Sequence, residues 1–381
     1  MMAPRLGVSS ATARLQLSAP LFLRAGLGSE PGEEGASPWF NRWDDPETYA
    51  SMLESLFLTS GSGEFILRIG TLRQELFGSG ALLDSYGTTW DPIVKHTGMV
   101  AEFNRDGLFF YGLVNRIIAP NLVAMGGGVQ PLRWLGDSDA KRVMLSAQFV
   151  VDTDAPAKGE REMITAGDIG ARLVFHSGQF LQLEGLLDGV FLHGGRLGSH
   201  ISLLMELAEN SPLRGESVSV QLELIRGWEG YQPGYFDEFY DVERFGNAQT
   251  GRAAKADVNR GDASFLRLRV DGSVKGARFG VKALWDPVGE IGAVSYLRVV
   301  HQRWSATGML RKVGMRGLGD LFSSNDQTFG ELEVSALLNK DFYAFSHFVY
   351  GWHFEDAQTP ERLSLWTIGL GAQAGGGVPD S

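Results

Sequence analysis

The sequence of 381 residues contains no cysteine, and this absence excludes several classes of protein. Without thiols, the chain has no disulfide framework, no thiolate metal site and no lipidated cysteine. The sequence also lacks an apolar run of about 18 residues, the minimum for a transmembrane helix. The longest apolar stretches, such as residues 108–114, have only the length of a strand.

Positive charge and proline are also scarce. The formal net charge is −11, so we expect no nucleic-acid partner. Only 14 prolines accompany 50 glycines, 23 phenylalanines, nine tyrosines and nine tryptophans. Abundant glycine and aromatic residues with few prolines are typical of strand-rich proteins with tight turns and aromatic belts at membrane interfaces.

Motifs for catalysis and metal binding are missing as well. The seven histidines contain no His-x-x-x-His pair, and the Gly-Ser-Gly segments at 61–63 and 78–80 lack the context of a nucleophile elbow. His193 and His200 flank one tight turn, where we expect them to form hydrogen bonds at the rim of the fold. We therefore predict that the protein is not an enzyme and binds neither a metal nor a cofactor.

The strongest positive signal is the alternation of apolar and polar residues, which is clearest between residues 164 and 207. On the second strand of this stretch, one parity is apolar and the other polar: Leu181, Leu183, Leu187 and Phe191 against Gln182, Glu184 and Asp188. A period of two residues indicates a strand with one apolar face. Residues 176–179 and 194–195 have turn chemistry at hairpin spacing. Because such strands recur along the chain, we predict an all-β protein, a transmembrane antiparallel up-and-down β-barrel.

We predict about 18 strands in a single outer-membrane β-barrel domain that covers residues 1–381. The predicted strands are 12–27, 50–60, 64–74, 96–104, 107–117, 121–132, 141–153, 164–176, 179–192, 197–208, 216–227, 263–272, 275–286, 290–303, 305–314, 328–339, 341–354 and 362–373. Short turns alternate with longer connections, which predicts short periplasmic turns and longer outer loops. Long loops or inserts are expected at about 28–49, 75–95 and 228–262.

The strand number depends on residues 45–58. Asp45 and Pro46 form a good helix start, and Leu53, Leu56 and Phe57 fit one helical face. A helix here gives a barrel nearer 16 strands, with this segment as a lid or plug. A strand at 50–60 gives the even number of 18, which we prefer.

The polar parity of the strands predicts the lining of a lumen. An arginine or lysine that faces lipid near the bilayer centre costs about 2–4 kcal/mol, so charged residues are expected to face inward. The acidic set is Glu184, Asp188, Glu206 and Glu223, and the basic set on the following strands is Arg267, Arg269, Arg278, Lys282 and Arg298. Two arcs of opposite sign predict a selectivity zone, and the alternative is cross-strand pairing that only fills a wet interior.

The segment 228–262 combines aromatic and acidic residues in its first half. The residues of interest are Tyr231, Tyr235, Phe236, Asp237, Phe239 and Tyr240. Clusters of aromatic side chains do not suit a freely solvated loop, because exposed apolar groups usually have a partner. We predict a constriction loop folded into the barrel, or a docking surface for a protein partner.

As a whole, the chain resembles Gram-negative outer-membrane β-barrels of the porin class. The resemblance is one of pattern, and residues 68–86 are similar to a piece of porin-like barrels in which an R-x-G-x-L strand leads into a glycine-rich loop. It implies a place in the bacterial outer membrane, contact with lipid and lipopolysaccharide, and diffusion of small hydrophilic solutes or ions. The alternative is a barrel within a multiprotein envelope assembly, such as an export conduit or anchor for polysaccharide secretion or motility. Since residues 1–17 lack the features of a signal peptide, we expect the leader to be removed or to precede this numbering.

Overall fold

Strands dominate the computed structural model of the protein. The model describes residues 5–9, 13–18, 53–72, 80–84, 86–87, 96–134, 142–157, 160–178, 180–207, 217–233, 235–237, 261–286, 290–317, 320, 328–338, 342–354 and 360–372. A short helix, α1, spans Pro131–Trp134. Among these residues, none of the helices is both long enough and apolar enough to cross a membrane.

The strands follow the alternating segments of the sequence. They are β1 (Arg5–Ser9), β2 (Ala13–Ser18), β3 (Leu53–Thr59), β4 (Phe65–Thr71), β5 (Leu83–Asp84), β6 (Thr97–Arg105), β7 (Leu108–Val114), β8 (Leu122–Val129), β9 (Val143–Ala157), β10 (Glu160–Ser177), β11 (Leu181–Leu192), β12 (Arg196–Leu207), β13 (Ser217–Trp228), β14 (Phe236–Asp237), β15 (Ala263–Val274), β16 (Ala277–Trp285), β17 (Ile291–His301), β18 (Trp304–Met315), β19 (Phe329–Leu337), β20 (Phe342–Phe354) and β21 (Pro360–Ala372). Each predicted segment overlaps one of them, whereas β1, β5 and β14 lie outside the predicted segments.

One antiparallel up-and-down sheet contains every strand except β5 and β14, which makes 19 strands in the described residues. Each strand pairs with the next one along the chain, so the predicted all-β, antiparallel architecture is confirmed. The two ends of the sheet, β1 and β21, share one parallel residue pair, Arg5 with Gly371. A single pair is not the continuous ladder that closes a barrel, so closure and a count of 18 or 16 strands stay predictions.

The sequence allows either a helix or a strand at residues 45–58, and the part of this segment that the structure describes is extended. Residues Leu53–Thr59 form β3, which pairs with both β2 and β4. The helical alternative is therefore wrong for this part, because pairing on both sides outweighs the local helix signal. Residues 45–52 lie outside the described residues.

Tight hairpins connect β6 to β7 and β15 to β16 at one end of the sheet. Asp106 and Gly107 have φ of 51° and 82°, and Lys275 and Gly276 have φ of 42° and 86°. Two successive residues with positive φ match the twist of an antiparallel hairpin. We call this end the turn end. The opposite end, which carries the connections from β4 to β6 and from β13 to β15, is the loop end.

The sheet has an apolar outer face and a polar inner face. On β11, Glu184 and Asp188 are buried, whereas Leu187 and Phe191, which point to the opposite face, are exposed. On β12, Ile201 is 60% exposed, while its neighbours His200 and Ser202 are buried. The same alternation places many large apolar side chains outside, among them Phe149, Ile169, Phe175, Leu203, Leu224, Leu297, Leu310, Leu332, Phe348, Trp366 and Ile368. This polarity is the reverse of that of a water-soluble β-protein.

An apolar core lies against the inner face at the loop end. Two short strands from the long connections, β5 and β14, pair in parallel there, with Phe236 N donating to Leu82 O at 3.3 Å. Leu83 and Phe236 belong to one buried cluster with inward-facing residues of the sheet, including Val100, Ile225 and Phe265. Parts of two loops therefore fold inside the sheet. The predicted insert 28–49 lies outside the described residues.

A charge on the outer face tests this polarity. We expect Ile201→Lys to lower the free energy of unfolding in lipid vesicles by about 2–4 kcal/mol, because the charge must enter the hydrocarbon. The matched control is Gln182→Lys, which adds the same charge on the inner face opposite Glu206. Urea titration of both variants measures the difference. Equal stability of the two variants, with solubility in the absence of detergent, contradicts an outer face that contacts lipid.

Candidate functional site

A buried chain of hydrogen bonds joins the sheet to both infolded segments. Arg267 Nε donates to Glu223 Oε2, and Glu223 Oε1 lies 2.5 Å from His200 Nδ1. The Nε2 atom of His200 lies 2.6 Å from the hydroxyl of Tyr231, which also donates to the carbonyl oxygen of Ala81 at 3.3 Å. We call Arg267, Glu223, His200 and Tyr231 the interior network.

Three neighbouring strands position the interior network. His200 is on β12, Glu223 is on β13, and Arg267 is on β15 directly opposite Glu223. Successive side chains of a strand point to opposite faces. Because Ile201, Leu224 and their neighbours point outward, all three residues of the network point inward. The three side chains are buried, and the exposed fraction of His200 is 0%. A buried carboxylate between two basic groups satisfies the charge pairing that a low-dielectric interior requires.

Tyr231 and Arg267 carry the contacts to the infolded segments. Arg267 Nη2 lies 3.5 Å from Gly80 O, so the network reaches two consecutive carbonyls of the first segment. Burial raises the pKa of Tyr231 well above its ordinary value, so the phenol stays neutral and keeps its hydrogen for donation. The ring of Tyr231 stands edge-on to His200, with 5.6 Å between ring centroids.

Two glycines on the inner face leave room for Tyr231. A Cβ atom at Gly198 would lie 2.5 Å from ring carbons of Tyr231, and one at Gly227 would lie 3.1 Å from its Cβ and Cδ1 atoms. Gly198 and Gly227 face each other across β12 and β13. The absence of side chains at Gly198 and Gly227 therefore leaves the space into which the ring of Tyr231 packs.

A second polar row continues along the inner face. The Tyr111 hydroxyl donates to Gln148 Oε1 at 2.7 Å, and Gln148 Nε2 donates to Asp168. Tyr111 lies over Gly126, where a Cβ atom would be 2.4 Å from the hydroxyl. Pairing between buried polar side chains thus extends from β7 to β10.

The predicted acidic residues occupy three kinds of environment. Glu184 is 0% exposed, and its Oε1 accepts hydrogen bonds from Arg172 and Gln182. Asp188 is buried next to Gly170, whose Cβ atom would lie 2.2 Å from Asp188 Oδ1. Glu206 is exposed near the turn end. Glu223 belongs to the interior network and accepts from Arg267, so the acidic and basic arcs meet in a direct ion pair.

The other predicted basic residues lie together near the turn end. Arg269 is opposite Lys282, and Arg278 is opposite Arg298. Arg269 Nε also donates to Asp271 Oδ2 at 2.6 Å. These four cations share the inner face with Arg267, two residues or more closer to the turn end.

The predicted constriction segment is partly described. Tyr231, Tyr235 and Phe236 are fully buried in the inner core, and Asp237 contributes its backbone to β14. Phe239 and Tyr240 lie outside the described residues. The geometry therefore places the described aromatic side chains inside the sheet, while a role in restricting passage stays a prediction.

Sequence reasoning missed several members of the interior site. His200 was expected at the rim, and this is wrong, because its parity turns it inward beneath Tyr231. Tyr111, Gln148 and Asp168 were also overlooked, although each has the polar parity of its strand. Parity marks a residue as inward, but it does not indicate which inward residues contact one another. In the described part of the chain, no group of three or more His, Asp or Glu residues is arranged to hold a metal ion.

Comparisons with known proteins include a match to a solved structure. No family model matches the chain, and no curated protein matches its sequence. A solved structure titled "Bacterial polysaccharide outer membrane secretin" aligns with 83% of this chain and 87% of its own chain, with 8% identity and a TM-score of 0.30. A TM-score this low supports neither a shared function nor a shared family.

The interior network predicts energetic coupling between His200 and Tyr231. We expect Tyr231→Phe to lower the free energy of unfolding by about 1–3 kcal/mol, because it leaves buried polar atoms of His200 and Ala81 without their partner. A double-mutant cycle with His200→Leu measures the coupling, which we expect to be about 0.5–3 kcal/mol. Additive effects of the two substitutions contradict a direct hydrogen bond.

Proposed function

We propose that the protein is an outer-membrane β-barrel that forms a channel for small hydrophilic solutes or ions, constricted at its loop end by the two infolded segments. The observation that carries this proposal is the reversed polarity of the sheet. Continuous strands expose apolar side chains on one face and bury charged side chains on the other.

The outer face supports a lipid environment. Ile169 is 71% exposed and Leu224 is 62% exposed, and both lie within a band of large apolar residues that crosses most of the strands. Monomeric proteins in water rarely expose contiguous apolar patches beyond a few hundred Å². In a bilayer, the same band is solvated by acyl chains, and closed strand pairing satisfies the backbone polar groups.

The inner face supports a lumen that narrows along its length. At the loop end, the core around Tyr231 and Phe236 covers the inner face between β6 and β15 with buried side chains. Towards the turn end, Arg269, Lys282 and Arg298 are half-buried and Arg278 is exposed, so water reaches this part of the inner face. The arrangement favours an aqueous vestibule beneath a constriction, with charged residues at the boundary between them.

A second candidate function is a barrel that serves as a conduit or anchor in a larger envelope assembly. The observation that favours it is the same inner core, because chain that folds against the inner face restricts free diffusion in the isolated protein. Under this alternative, the purified barrel is closed, and protein partners that engage the loop end accompany it in stoichiometric amounts.

Conductance of the full chain in planar bilayers decides between the two candidates. We expect stepwise currents from the unaltered protein and larger unit currents from Gly198→Ala, because the added methyl group displaces the ring of Tyr231 from its position over Gly198. The matched control is Gly189→Ala on the outward parity of β11, where an added Cβ atom meets nothing within 4 Å.

The outcomes are distinct. Equal currents from Gly198→Ala and Gly189→Ala show that the Tyr231 segment does not restrict passage. Absence of conductance in every variant, together with co-purified partners in fixed ratio, replaces the channel with the assembly component. Extraction of the protein from cells without detergent contradicts both candidates.

A further inference from the structure

The contacts of Tyr231 in the interior network set a requirement on the protonation of His200. The Tyr231 hydroxyl has one hydrogen, which it donates to the carbonyl oxygen of Ala81, an atom that can only accept. The same hydroxyl lies 2.6 Å from His200 Nε2. Because the hydroxyl hydrogen is used at Ala81, this second contact needs a hydrogen on Nε2.

The other ring nitrogen of His200 also faces an acceptor. Its Nδ1 atom lies 2.5 Å from Glu223 Oε1, while Glu223 Oε2 accepts from Arg267. A carboxylate that pairs with an arginine is ionised and has no hydrogen to donate, so Nδ1 is the donor. All contacts of the interior network therefore exist together only when both ring nitrogens carry hydrogen, which makes His200 an imidazolium cation.

In the described part of the chain, charged groups lie around His200 and Tyr231 on four neighbouring strands. They are Asp168 on β10, Asp188 on β11, Glu223 on β13 and Arg267 on β15. Asp188 is the direct cross-strand partner of His200, and Glu223 contacts its ring. Arg267 contacts the oxygen atom of Glu223 that the ring does not use. The carboxylates next to the ring stabilise its protonated form, whereas Arg267 acts on it from behind Glu223.

We infer that His200 is a proton switch for the loop-end constriction, which is held when the ring is protonated and loosened when the ring is neutral. On deprotonation, the Nε2 hydrogen leaves as a proton to the aqueous phase, while Nδ1 keeps its hydrogen for Glu223. Nε2 then becomes an acceptor, and Tyr231 turns its hydroxyl hydrogen from Ala81 to Nε2. Burial raises the pKa of Tyr231 well above its ordinary value, so the phenol stays neutral where an ordinary imidazole titrates, between about pH 5 and pH 8.

The hydrogen bond to Ala81 is one of several contacts that hold the first infolded segment, residues 80–84. Gly80 O lies 3.5 Å from Arg267 Nη2, and β5 pairs with β14. These contacts involve no atom of His200, so they persist in both protonation states. Loss of the Ala81 contact therefore raises the fraction of molecules in which the segment is open, without releasing it completely. The inference rests on the proposed function in that this segment restricts passage through a lumen.

Thiol labelling of the detergent-solubilised full chain tests the switch without requiring conductance. The sequence has no cysteine, so a single introduced thiol is labelled selectively. Ala81→Cys keeps the backbone carbonyl and places the thiol at a fully buried position, where reaction with a maleimide reports opening of the segment. Division by the rate for Ser62→Cys, in the exposed turn after β3, corrects for the thiolate fraction at each pH. We expect this ratio to rise about fivefold from about pH 5 to about pH 9, the factor for one net hydrogen bond of ~1 kcal/mol.

Two substitutions in the Ala81→Cys protein remove the switch in different ways. His200→Gln has no ring that changes charge, and Tyr231→Phe has no hydroxyl hydrogen to turn. We expect the labelling ratio to be independent of pH in both variants. The matched control is His347→Gln, which removes another buried histidine, paired with Glu331 at 2.8 Å, and is expected to keep the rise. Unchanged mobility on unheated gels confirms that each variant is folded.

Failure of the switch and failure of the channel have different signatures. A labelling ratio that is constant with pH while His200 is present, or a rise that persists in either folded variant, overturns the switch. In planar bilayers, we expect the unit current of the unaltered protein to increase from about pH 5 to about pH 9, and that of His200→Gln to stay constant. Stepwise currents with a constant labelling ratio retain the channel and overturn the switch. A silent barrel whose labelling depends on pH through His200 overturns the channel and retains the switch.

Discussion

The antiparallel backbone ladder is the constraint on which the rest of this structure depends. Each strand pairs in register with the next one, so every side chain is assigned to one of two faces. A slip of one residue would exchange the faces of an entire strand. On β11 it would bring Glu184 and Asp188 to the apolar side and send Leu187 inward. The same register that gathers apolar side chains on the outer face therefore aligns the polar rows of the inner face.

The inner face has two environments because, in the described part of the chain, segments of two connections fold against it at the loop end. Segments from the connections after β4 and β13 occupy the loop end and form an apolar core there. The interior network lies beneath this core and holds it by contacts to Gly80, Ala81 and Tyr231. Buried ion pairs contribute little net stability compared with apolar packing, but they fix the position of what they bind. Position, more than stability, is the contribution of Arg267 and Glu223.

The charged residues of the inner face therefore lie in two separate environments. Glu223 and Arg267 form an ion pair under the core, whereas Arg269, Arg278, Lys282 and Arg298 lie nearer the turn end. Of the five basic residues predicted from the sequence, only Arg267 belongs to the interior network. Cross-strand pairing, the alternative to a selectivity zone, accounts for Arg267, and a selectivity role for the other four stays a prediction.

The sequence by itself determined the positions of the long strands and the parity of each, because a period of two residues is a local property. It also indicated that the segments around residues 80 and 231 belong to long connections. Tertiary structure alone decided that Ala81 and Tyr231, 150 positions apart, share one hydrogen bond, and that β5 pairs with β14. Those contacts depend on where two loops meet inside the curved sheet. Alternation carries no information about this, since it describes the face of a residue and not its distance from residues elsewhere in the chain.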